Sequence, residues 1–304
     1  MRKKKSITVG IVAYNEEENI EAMLKSVLAQ KQQGYVIEKI IVISDGSTDD
    51  TAQIISGLRS KQITLYARAK RIGESAHLNT IFQKASSDIV VLFDADVVLS
   101  SPDTISCLIV GFERGDNIMY LGGNPQPTKG KTFIEKAVNI SFEPYTQIRN
   151  QLHGADNPYG CDGRILALSR EFYKRVKVPH DTIANDNYMY FACHKLGYDF
   201  LYIPEAVVYF RSPTTLADQL RQNKRFIAAH IRMERLFDPQ AVRGAYHIPL
   251  RAKWPIVATL LKHPILSLSI YAINTYCAIR ARIEERRMNA LWAIAKTTKK
   301  EINR

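Results

Sequence analysis

Two carboxylates one residue apart, Asp94 and Asp96, close an apolar run that begins at Ile89. A run of this kind, rich in branched side chains, predicts a strand buried on both faces of a mostly parallel sheet. The carboxylates would then lie at the carboxyl end of the strand, the edge where open α/β sheets bind ligands. Two carboxylates this close repel each other unless a cation lies between them or one is protonated. The pair therefore predicts a divalent metal ion and, bound through that ion, a phosphate-bearing ligand.

By itself an Asp-x-Asp triplet is more often a solvated loop end than a metal site, so its meaning depends on the surrounding elements. Strand patterns at residues 7–13, 39–44 and 63–66 alternate with helical patterns before the strand that ends at Asp94. This alternation predicts a doubly wound, mostly parallel α/β sheet flanked by helices. The 304 residues are enough for one sizeable domain of this type with an appendage.

The formal net charge of +12 is concentrated in the last third of the chain, where basic residues exceed acidic ones. A basic region of this kind suits an anionic partner, such as a membrane leaflet, a polyanion or the phosphates of a substrate. Nucleic acid is a poor candidate because no helix-turn-helix, zinc-finger or RNP-type pattern accompanies the charge. The four cysteines lie far apart, which predicts reduced thiols in the cytoplasm, and no secretion signal is visible.

Apolar runs at residues 254–261 and 265–279 interrupt the basic region. The longer run falls short of the ~20 residues that span a bilayer, and Pro255 and Pro264 divide the region into short helices. We therefore expect residues 240–304 to lie on an anionic membrane surface, with the protein cytoplasmic and peripheral on the inner membrane face. An ordinary helical hairpin packed on the domain is the alternative.

Six short motifs occur in one order along residues 6–226, and together they resemble the family-2 glycosyltransferases of the GT-A fold. The first two motifs end the first two predicted strands. The others are a glycine followed by Leu-Asn, the Asp-x-Asp triplet, an aspartate at a helix start and a Gln-x-x-Arg-aromatic block. In this chain they are Ala13-Tyr14-Asn15-Glu16, Asp45-Gly46-Ser47-Thr48-Asp49, Gly73 with Leu78-Asn79, Asp94 with Asp96, Asn185-Asp186, and Gln222-Asn223-Lys224-Arg225-Phe226.

The resemblance implies a GT-A, Rossmann-like fold in residues 1–226, and the charge and the short apolar runs predict a basic, membrane-associating amphipathic helical region in residues 227–304. It also implies a nucleotide-diphosphate sugar as donor, with UDP favoured, and Mg²⁺ or Mn²⁺ as cofactor. Asp96 is expected to ligate the metal directly, with Asp94 on the ribose or beside the metal. The residues expected to bind the nucleotide are Ala13, Tyr14, Glu16, Asp45, Gly73, Asn79 and Asp94.

Asp186 is the expected general base of the reaction that the resemblance implies. It would take the proton from an acceptor hydroxyl as that oxygen attacks the anomeric carbon of the sugar. An aspartate in this place also suits a helix N-cap, and the two roles are compatible. The residues expected at the diphosphate and the acceptor are Gln222, Arg225, Phe226, Asp162 and Gly163.

Three residues depart from the family pattern. Asn185 replaces a glutamate and Phe226 replaces a tryptophan, so the tuning of the base and the identity of the acceptor are open. Glu74 stands where relatives often have a lysine, and a basic contact to phosphate would then come from Lys70 or Arg71.

The expected function is inverting transfer of a sugar to a hydroxyl of a lipid-linked or polysaccharide acceptor at the membrane face. The Gln-x-x-Arg block is similar to that of the hyaluronan, cellulose and poly-N-acetylglucosamine synthases. One alternative is a catalytically silent, membrane-associated nucleotide-sugar-binding partner subunit, and another is a polyanion-binding protein with a scaffold domain. The complete set of acidic positions favours the enzyme.

Overall fold

The computed structural model describes residues 4–288, 291 and 296–299 of the 304. Within this part of the chain, eight strands form a single sheet. In chain order they are β1 Lys5–Ala13, β2 Tyr35–Asp45, β3 Ile63–Arg68, β4 Ile89–Asp94, β5 Val97–Leu99, β6 Ile118–Pro127, β7 Ile165–Ser169 and β8 Asp199–Phe210.

The strand order across the sheet is β3-β2-β1-β4-β7-β6-β8-β5. The first four strands are parallel, β7 runs antiparallel between β4 and β6, and β8 is parallel to β6. Val12 of β1 pairs with Asp94 of β4, and Ala13 pairs with Ser44 of β2. Three strands therefore end side by side at one edge, and the predicted α/β sheet is confirmed.

Helices cover both faces of the sheet, and four further α-helices follow its last strand in the described part of the chain. The α-helices of the described residues are α1 Ile20–Leu28, α2 Thr51–Gly57, α3 Glu74–Lys84, α4 Thr104–Ile109, α5 Phe133–Asn139, α6 Phe142–Gln151, α7 Arg170–Arg175, α8 Asn185–Lys195, α9 Leu216–Leu236, α10 Pro239–Tyr246, α11 Trp254–Lys262 and α12 Pro264–Glu284.

Helix α1 begins at Ile20, later than the start near Glu16 that its sequence pattern predicts. Asn15 has a left-handed φ of 53°, and the Glu16 N–H donates to Thr51 Oγ1 at 2.8 Å. The segment before α1 is thereby held by the start of α2, and the helix can begin only after it.

The core lies in two layers, one on each face of the sheet. Side chains of successive strand residues alternate between the faces. Val9 and Ile11 of β1 therefore pack with α1 and α4 on one face, while Val90 and Leu92 of β4 pack with α3 and α7 on the other. This packing fixes the strand ends from which the polar residues project.

The C-terminal helices pack beside the sheet. Helix α12 contacts α9 and α5, and α11 contacts α6. Lys224 of α9 forms an ion pair of 2.7 Å with Glu284 of α12. The predicted division at residue 226 falls within α9. None of the helices in the described ranges combines the length and the apolar character needed to cross a membrane.

Candidate active site

A pocket of about 850 Å³ lies at the edge where β1 and β4 end. Its wall includes Asp94, Asp96 and Asp186, together with Arg225 of α9. Gly163 lies between two of these carboxylates, because a Cβ atom there would be 3.7 Å from Asp94 Oδ1 and 3.9 Å from Asp186 Oδ2. Residues that are far apart in the sequence thus line the same pocket.

Asp94 is the last residue of β4, and Asp96 lies in the turn before β5. Burial raises the pKa of Asp94 well above its usual range, and the carboxylates of Glu74 and Asp96 raise it further, against the opposing charge of Arg164. A buried group of oxygens with this excess of negative charge fits a hard divalent cation such as Mg²⁺ or Mn²⁺. The buried strand that the sequence predicts before the pair is confirmed.

Asp186 lies in the first turn of α8. Its Oδ2 accepts a hydrogen bond from Gly163 N at 3.2 Å, and its Oδ1 accepts one from Asn187 N at 2.8 Å. Burial and the charge of Asp162 raise the pKa of Asp186, against the hydrogen bonds from Asn187 and the charge of Arg225. A carboxylate with a raised pKa, held by two backbone N–H groups, is suited to accept a proton from a bound hydroxyl.

Two arginines that no sequence motif marks hold Asp162. Arg164 Nη1 donates to both carboxylate oxygens, at 3.1 and 3.0 Å, and Arg149 Nη2 lies 4.0 Å from Asp162 Oδ2. Burial raises the pKa of Asp162, but the charges of these arginines lower it below its usual value overall. Asp162 therefore anchors the loop that carries Gly163 and remains ionised, so Asp186 is the better candidate base.

The predicted Gln-x-x-Arg block lies within α9, and its residues Gln222, Arg225 and Phe226 line the pocket. Burial lowers the pKa of Arg225, whereas the charges of Asp186 and Glu74 raise it. Glu74, the first residue of α3, therefore belongs to the site as a carboxylate near this guanidinium. An arginine in this place can pair with the phosphate oxygens of a ligand.

Asp45 ends β2 and is almost completely buried. Its oxygens accept hydrogen bonds from the N–H groups of Ile72 and Gly73 at 2.8 and 2.9 Å, and His77 Nε2 lies 2.7 Å from its Oδ1. Burial raises the pKa of Asp45, but these hydrogen bonds, foremost that of His77, lower it overall. Gly73 has a φ of 95°, which favours glycine. Asp45 thus orders the loop that leads to Glu74 at the pocket wall.

Ala13 ends β1, and Tyr14 and Glu16 follow shortly after it. These three residues, like Asp45 and Gly73, do not line the pocket, although the preceding Val12 does. Lys299, which is 283 positions from Glu16 in the sequence, donates to the Glu16 carboxylate and to the Tyr14 carbonyl. Burial and the charge of Asp96 raise the pKa of Glu16 to about 7, against the charge of Lys299. A cation from the far end of the chain therefore lies on the residues predicted to bind a nucleotide, and no sequence motif marks it.

Asn79 does not line the pocket. Its Nδ2 donates to Val178 O at 2.7 Å and its Oδ1 accepts from Val178 N at 3.0 Å, so it holds a loop instead. Of the two basic residues expected near phosphate, Lys70 is exposed, and the guanidinium of Arg71 lies 4.3 Å from the ring centroid of Tyr14.

Aromatic side chains form a part of the pocket wall that the sequence does not predict. The ring centroids of Tyr145 and Tyr159 are 5.7 Å apart, and those of Tyr159 and Tyr246 are 5.5 Å apart. His230 stacks on Tyr246 at 4.0 Å. All four residues line the pocket, and they come from separate elements without a shared motif. This wall offers flat, largely apolar surfaces to a ligand.

A second group of possible metal ligands, Asp156, His194 and Asp199, has its ligand atoms within 4.8 Å of one another. It lies where β8 begins, at the sheet edge opposite the pocket. His194 Nε2 is 3.0 Å from Asp156 Oδ1, and Asn117 donates to Asp199 at 3.1 Å. Hydrogen bonds between His194 and Asp156 and between Asn117 and Asp199 account for this group, which is separate from Asp94 and Asp96.

The profile of the family Glycosyl transferase family 2 matches residues 8–177 of the chain. Poly-beta-1,6-N-acetyl-D-glucosamine synthase of Staphylococcus aureus (strain COL) is 27% identical over 226 residues, which are 72% of this chain and 53% of that protein. The synthase of the same name from Staphylococcus epidermidis is 26% identical over 258 residues, 83% of this chain and 58% of that protein. The chain therefore spans a little over half the length of the curated relatives it matches.

Two solved structures share the architecture. The mannosyltransferase PcManGT from Pyrobaculum calidifontis, in complex with GDP-Man and Mn²⁺, has a TM-score of 0.65 at 19% identity, covering 94% of this chain and 88% of that one. Glucosyl-3-phosphoglycerate synthase from Mycobacterium tuberculosis, in complex with Mn²⁺, UDP and phosphoglyceric acid, has a TM-score of 0.53 at 20% identity, covering 75% and 78%. These likenesses confirm the GT-A fold.

Proposed function

The chain belongs to glycosyl transferase family 2, and from that premise we propose that it transfers a sugar from a nucleotide diphosphate to an acceptor hydroxyl, with inversion. The chain is homologous to a polysaccharide synthase. The observation that carries the proposal is the convergence of Asp94, Asp96 and Asp186 around Gly163 in one pocket. Two of these carboxylates suit a cation that binds diphosphate, and the third suits a proton acceptor beside it.

The metal would be Mg²⁺ or Mn²⁺, held directly by Asp96, with Asp94 on the ribose or beside the ion. When bound, the ion would neutralise the departing diphosphate as a Lewis acid. The raised pKa of Asp94, caused by burial and by neighbouring carboxylates, supports this assignment. So do the two solved structures, which are complexes with Mn²⁺ and GDP-Man and with Mn²⁺ and UDP. We favour UDP as the nucleotide of this chain.

The base and ribose would lie across the ends of β1 and β2. Ala13, Tyr14 and Glu16 would contact the nucleotide from one side, and Asp45 with Gly73 would shape the other. The charge of Asp96, which lines the pocket, acts on the Glu16 carboxylate, and the hydrogen bonds of Asp45 hold the loop that leads to Glu74 at the pocket wall; both support this arrangement.

Asp186 would take the proton of the acceptor hydroxyl as the acceptor oxygen bonds to the anomeric carbon of the sugar. The bond from that carbon to the diphosphate oxygen breaks in the same step, so a single displacement inverts the configuration. Arg225 would pair with the phosphate oxygens that gain negative charge. Gln222, Phe226 and Gly163, which line the same pocket, would contact the acceptor.

The acceptor would be a polysaccharide or lipid-linked hydroxyl at a membrane face, with the protein cytoplasmic and peripheral on the inner leaflet. An exposed apolar surface in the helices after α10 supports this. Soluble monomers rarely expose contiguous apolar patches of this kind unless they bind a protein or a membrane. We call this surface the apolar face, and its exposed side chains are Leu250, Trp254, Leu261, Ile265, Leu268, Tyr271, Tyr276, Ile279 and Ile283.

Charge favours a membrane over a second copy of this protein as the partner of the apolar face. The carboxylates Glu284 and Glu285 at the end of this region are paired with Lys224 and Arg232 of α9, at 2.7 and 3.0 Å. A second copy of the apolar face would therefore set cation against cation, whereas an anionic bilayer would attract them. Arg280 shares Glu284 with Lys224, and the other exposed cations that border the face are Arg251, Lys253, Lys262 and Arg282.

Replacing the proposed base tests the function. In the variant Asp186→Asn we expect a loss of at least a hundredfold in sugar transfer or in UDP release from UDP-sugars with Mn²⁺, because general base catalysis contributes about 10²–10⁴-fold. Binding of UDP with Mn²⁺, measured as a rise in melting temperature, should remain. Asp181→Asn is the matched control, since this exposed residue shortly precedes the same helix.

Undiminished turnover in Asp186→Asn would reject Asp186 as the base. If the wild-type chain bound no nucleotide diphosphate with either metal, the donor assignment would fail. If wild type and Asp186→Asn both bound the nucleotide and neither turned over any donor, the silent partner subunit would be the better description.

A further inference from the structure

Glu74 lines the pocket, but the proposed reaction gives this carboxylate no role. It is the first residue of α3 and directly follows Gly73, whose N–H donates to Asp45 at 2.9 Å. A carboxylate at the start of a helix interacts favourably with the helix dipole, and that interaction does not require the side chain to line a pocket. Glu74 is therefore available to contact a ligand as well.

Hydrogen bonds join the start of α3 to the start of α8, the helix that carries Asp186. Ser75 Oγ donates to Asn185 Oδ1 at 2.7 Å. Because this oxygen of Asn185 is engaged, the amide nitrogen of the same side chain is left to bond with Glu74. Asn185 is almost completely buried and lines the same pocket. Glu74 and Asp186 are therefore held in one wall by two neighbouring helix starts.

Glu74 lies between the carboxylates proposed to hold the metal and the carboxylate proposed as the base. Burial raises the pKa of Asp94, and among the neighbouring charges that of Glu74 raises it most. Burial also raises the pKa of Glu74, the charge of Arg225 opposes this rise, and the charge of Asp186 adds to it. The donor sugar has to extend from the diphosphate at Asp96 to the acceptor oxygen at Asp186, so its ring would pass beside Glu74.

Negative charge is in excess in this part of the pocket. Asp94, Glu74 and Asp186 all have a raised pKa, primarily because they are buried. The charge of Arg225 is shared among all three, and the guanidinium of Arg164 is already bound to another carboxylate. The charges of a divalent cation and of the diphosphate would offset each other, so their binding would leave the excess in place. A sugar with its own carboxylate would add to the repulsion, whereas the hydroxyl groups of a neutral sugar can donate to Glu74.

We propose that Glu74 is a specificity-determining residue, which accepts hydrogen bonds from hydroxyl groups of the donor sugar and excludes sugars that carry a carboxylate. The proposal rests on the proposed glycosyltransferase function and narrows its donor class to sugars without an acidic group. A uronic acid would be rejected, because like charges that face each other in a binding site suppress the binding of the wrong partner.

UDP-glucose and UDP-glucuronic acid are suitable probes, because they differ only in the carboxylate of the sugar. Their dissociation constants, and that of UDP, would be measured on the full chain with Mn²⁺. The wild-type protein should bind UDP-glucose about tenfold or more tightly than UDP-glucuronic acid, since the second donor sets like charges against each other. UDP has no sugar, so its affinity reports on the nucleotide and metal sites alone.

Variants of Glu74 separate its charge from its place in the fold. Glu74→Gln should reduce the preference for UDP-glucose about tenfold, because the amide removes the charge, and Glu74→Ala should act in the same direction. Glu74→Asp keeps the charge and should keep the preference. Glu143→Gln is the matched control, since this exposed glutamate also lies in the first turn of a helix but does not line the pocket. Melting temperatures report whether each variant folds.

Equal affinity of the wild-type protein for the two donors would overturn the proposal, as would a preference for UDP-glucose that Glu74→Gln and Glu74→Ala leave unchanged. A loss of UDP affinity in Glu74→Gln that matched the loss for UDP-glucose would also count against it, because the effect would then not depend on the sugar. Binding of UDP in the same samples separates the two levels of inference. If UDP binds with Mn²⁺ and both donors bind equally well, only the role of Glu74 is rejected; if UDP does not bind, the proposed function fails first.

Discussion

Helices α1 and α12 contain the same kinds of apolar residue at helical spacing, but these residues have opposite environments. In α1, Leu24 is completely buried between the helix and the sheet. In α12, Leu268 is 61% exposed and Ile265 is 71% exposed. An apolar stripe on a helix therefore predicts that the helix packs against another surface, but it does not identify that surface. For α1 the partner is the sheet, whereas the described residues leave the apolar stripe of α12 exposed.

The two sides of α12 make the same point within one helix. Cys277 and Ala281 are completely buried against the rest of the chain, while Ile279 and Ile283 are 60% and 67% exposed. Burial of apolar area is favourable by about 25 cal/mol per Å², so the exposed side gains free energy only if a membrane or another partner covers it. Helix α12 therefore has one face buried against the rest of the protein and one face exposed, to which a partner can bind.

Truncating one leucine in each helix should give the largest contrast. Leu24→Ala is expected to lower the free energy of unfolding by about 2–5 kcal/mol, because it leaves a cavity in a close-packed core. Leu268→Ala, at an exposed position, should change it by less than about 0.5 kcal/mol. Urea unfolding of the two variants in buffer measures both values. Similar losses would show that the exposed side of α12 is packed in solution, for example in a dimer.

Binding to membranes should depend strongly on Leu268, although its truncation has little effect on the free energy of unfolding. Leu268→Asn is expected to weaken binding to anionic vesicles about tenfold or more, since an inserted leucine contributes roughly 1.5–3 kcal/mol. Thr275→Asn, at another exposed position of the helix, removes little apolar area and serves as the control. Vesicle sedimentation at several lipid concentrations gives both affinities. Equal affinities of the two variants would reject the contribution of Leu268.

Local sequence patterns predicted the elements whose partners are near in the chain or marked by motifs. The strand predicted to end at Asp94 is β4, and the helix predicted near Asn185 and Asp186 is α8. The N-cap of α8 is Ala184, so the interpretation of Asp186 as the N-cap is wrong and its side chain is left to face the pocket. The order of the motifs, through the family resemblance, also predicted that Asp186 and Arg225 share a site.

Contacts between distant, unmarked residues were not predictable in this way. Arg164 holds Asp162, and Lys299 reaches Glu16 only because the fold returns the end of the chain to β1. Asn79 matches a motif, yet its amide is occupied by the backbone of Val178. A motif gives the type of residue at a position, whereas the direction of its side chain depends on which backbone groups lie within reach.

Glu16 links the two regions, since its neighbours include Asp96 from the sheet edge and Lys299 from the C-terminal segment. Burial, followed by the charge of Asp96, raises its pKa from 4.5 to about 7 in the folded protein, against the charge of Lys299. The folded state therefore binds this proton more tightly than the unfolded chain. The stability that Glu16 contributes should be fully present below about pH 4.5 and should be lost as the pH rises towards 7.

Two substitutions isolate this electrostatic effect. Glu16→Gln should lessen the fall in melting temperature between pH 5 and pH 8, since the amide does not titrate. Lys299→Ala should steepen the same fall, because it removes the cation that favours the charged carboxylate. Calorimetry of the metal-free protein across this range measures both slopes, with the exposed Glu18→Gln as control. If Lys299→Ala left the slope unchanged while Glu16→Gln lessened it, the C-terminal segment would have no electrostatic contact with the sheet edge in solution, and the two regions would be independent.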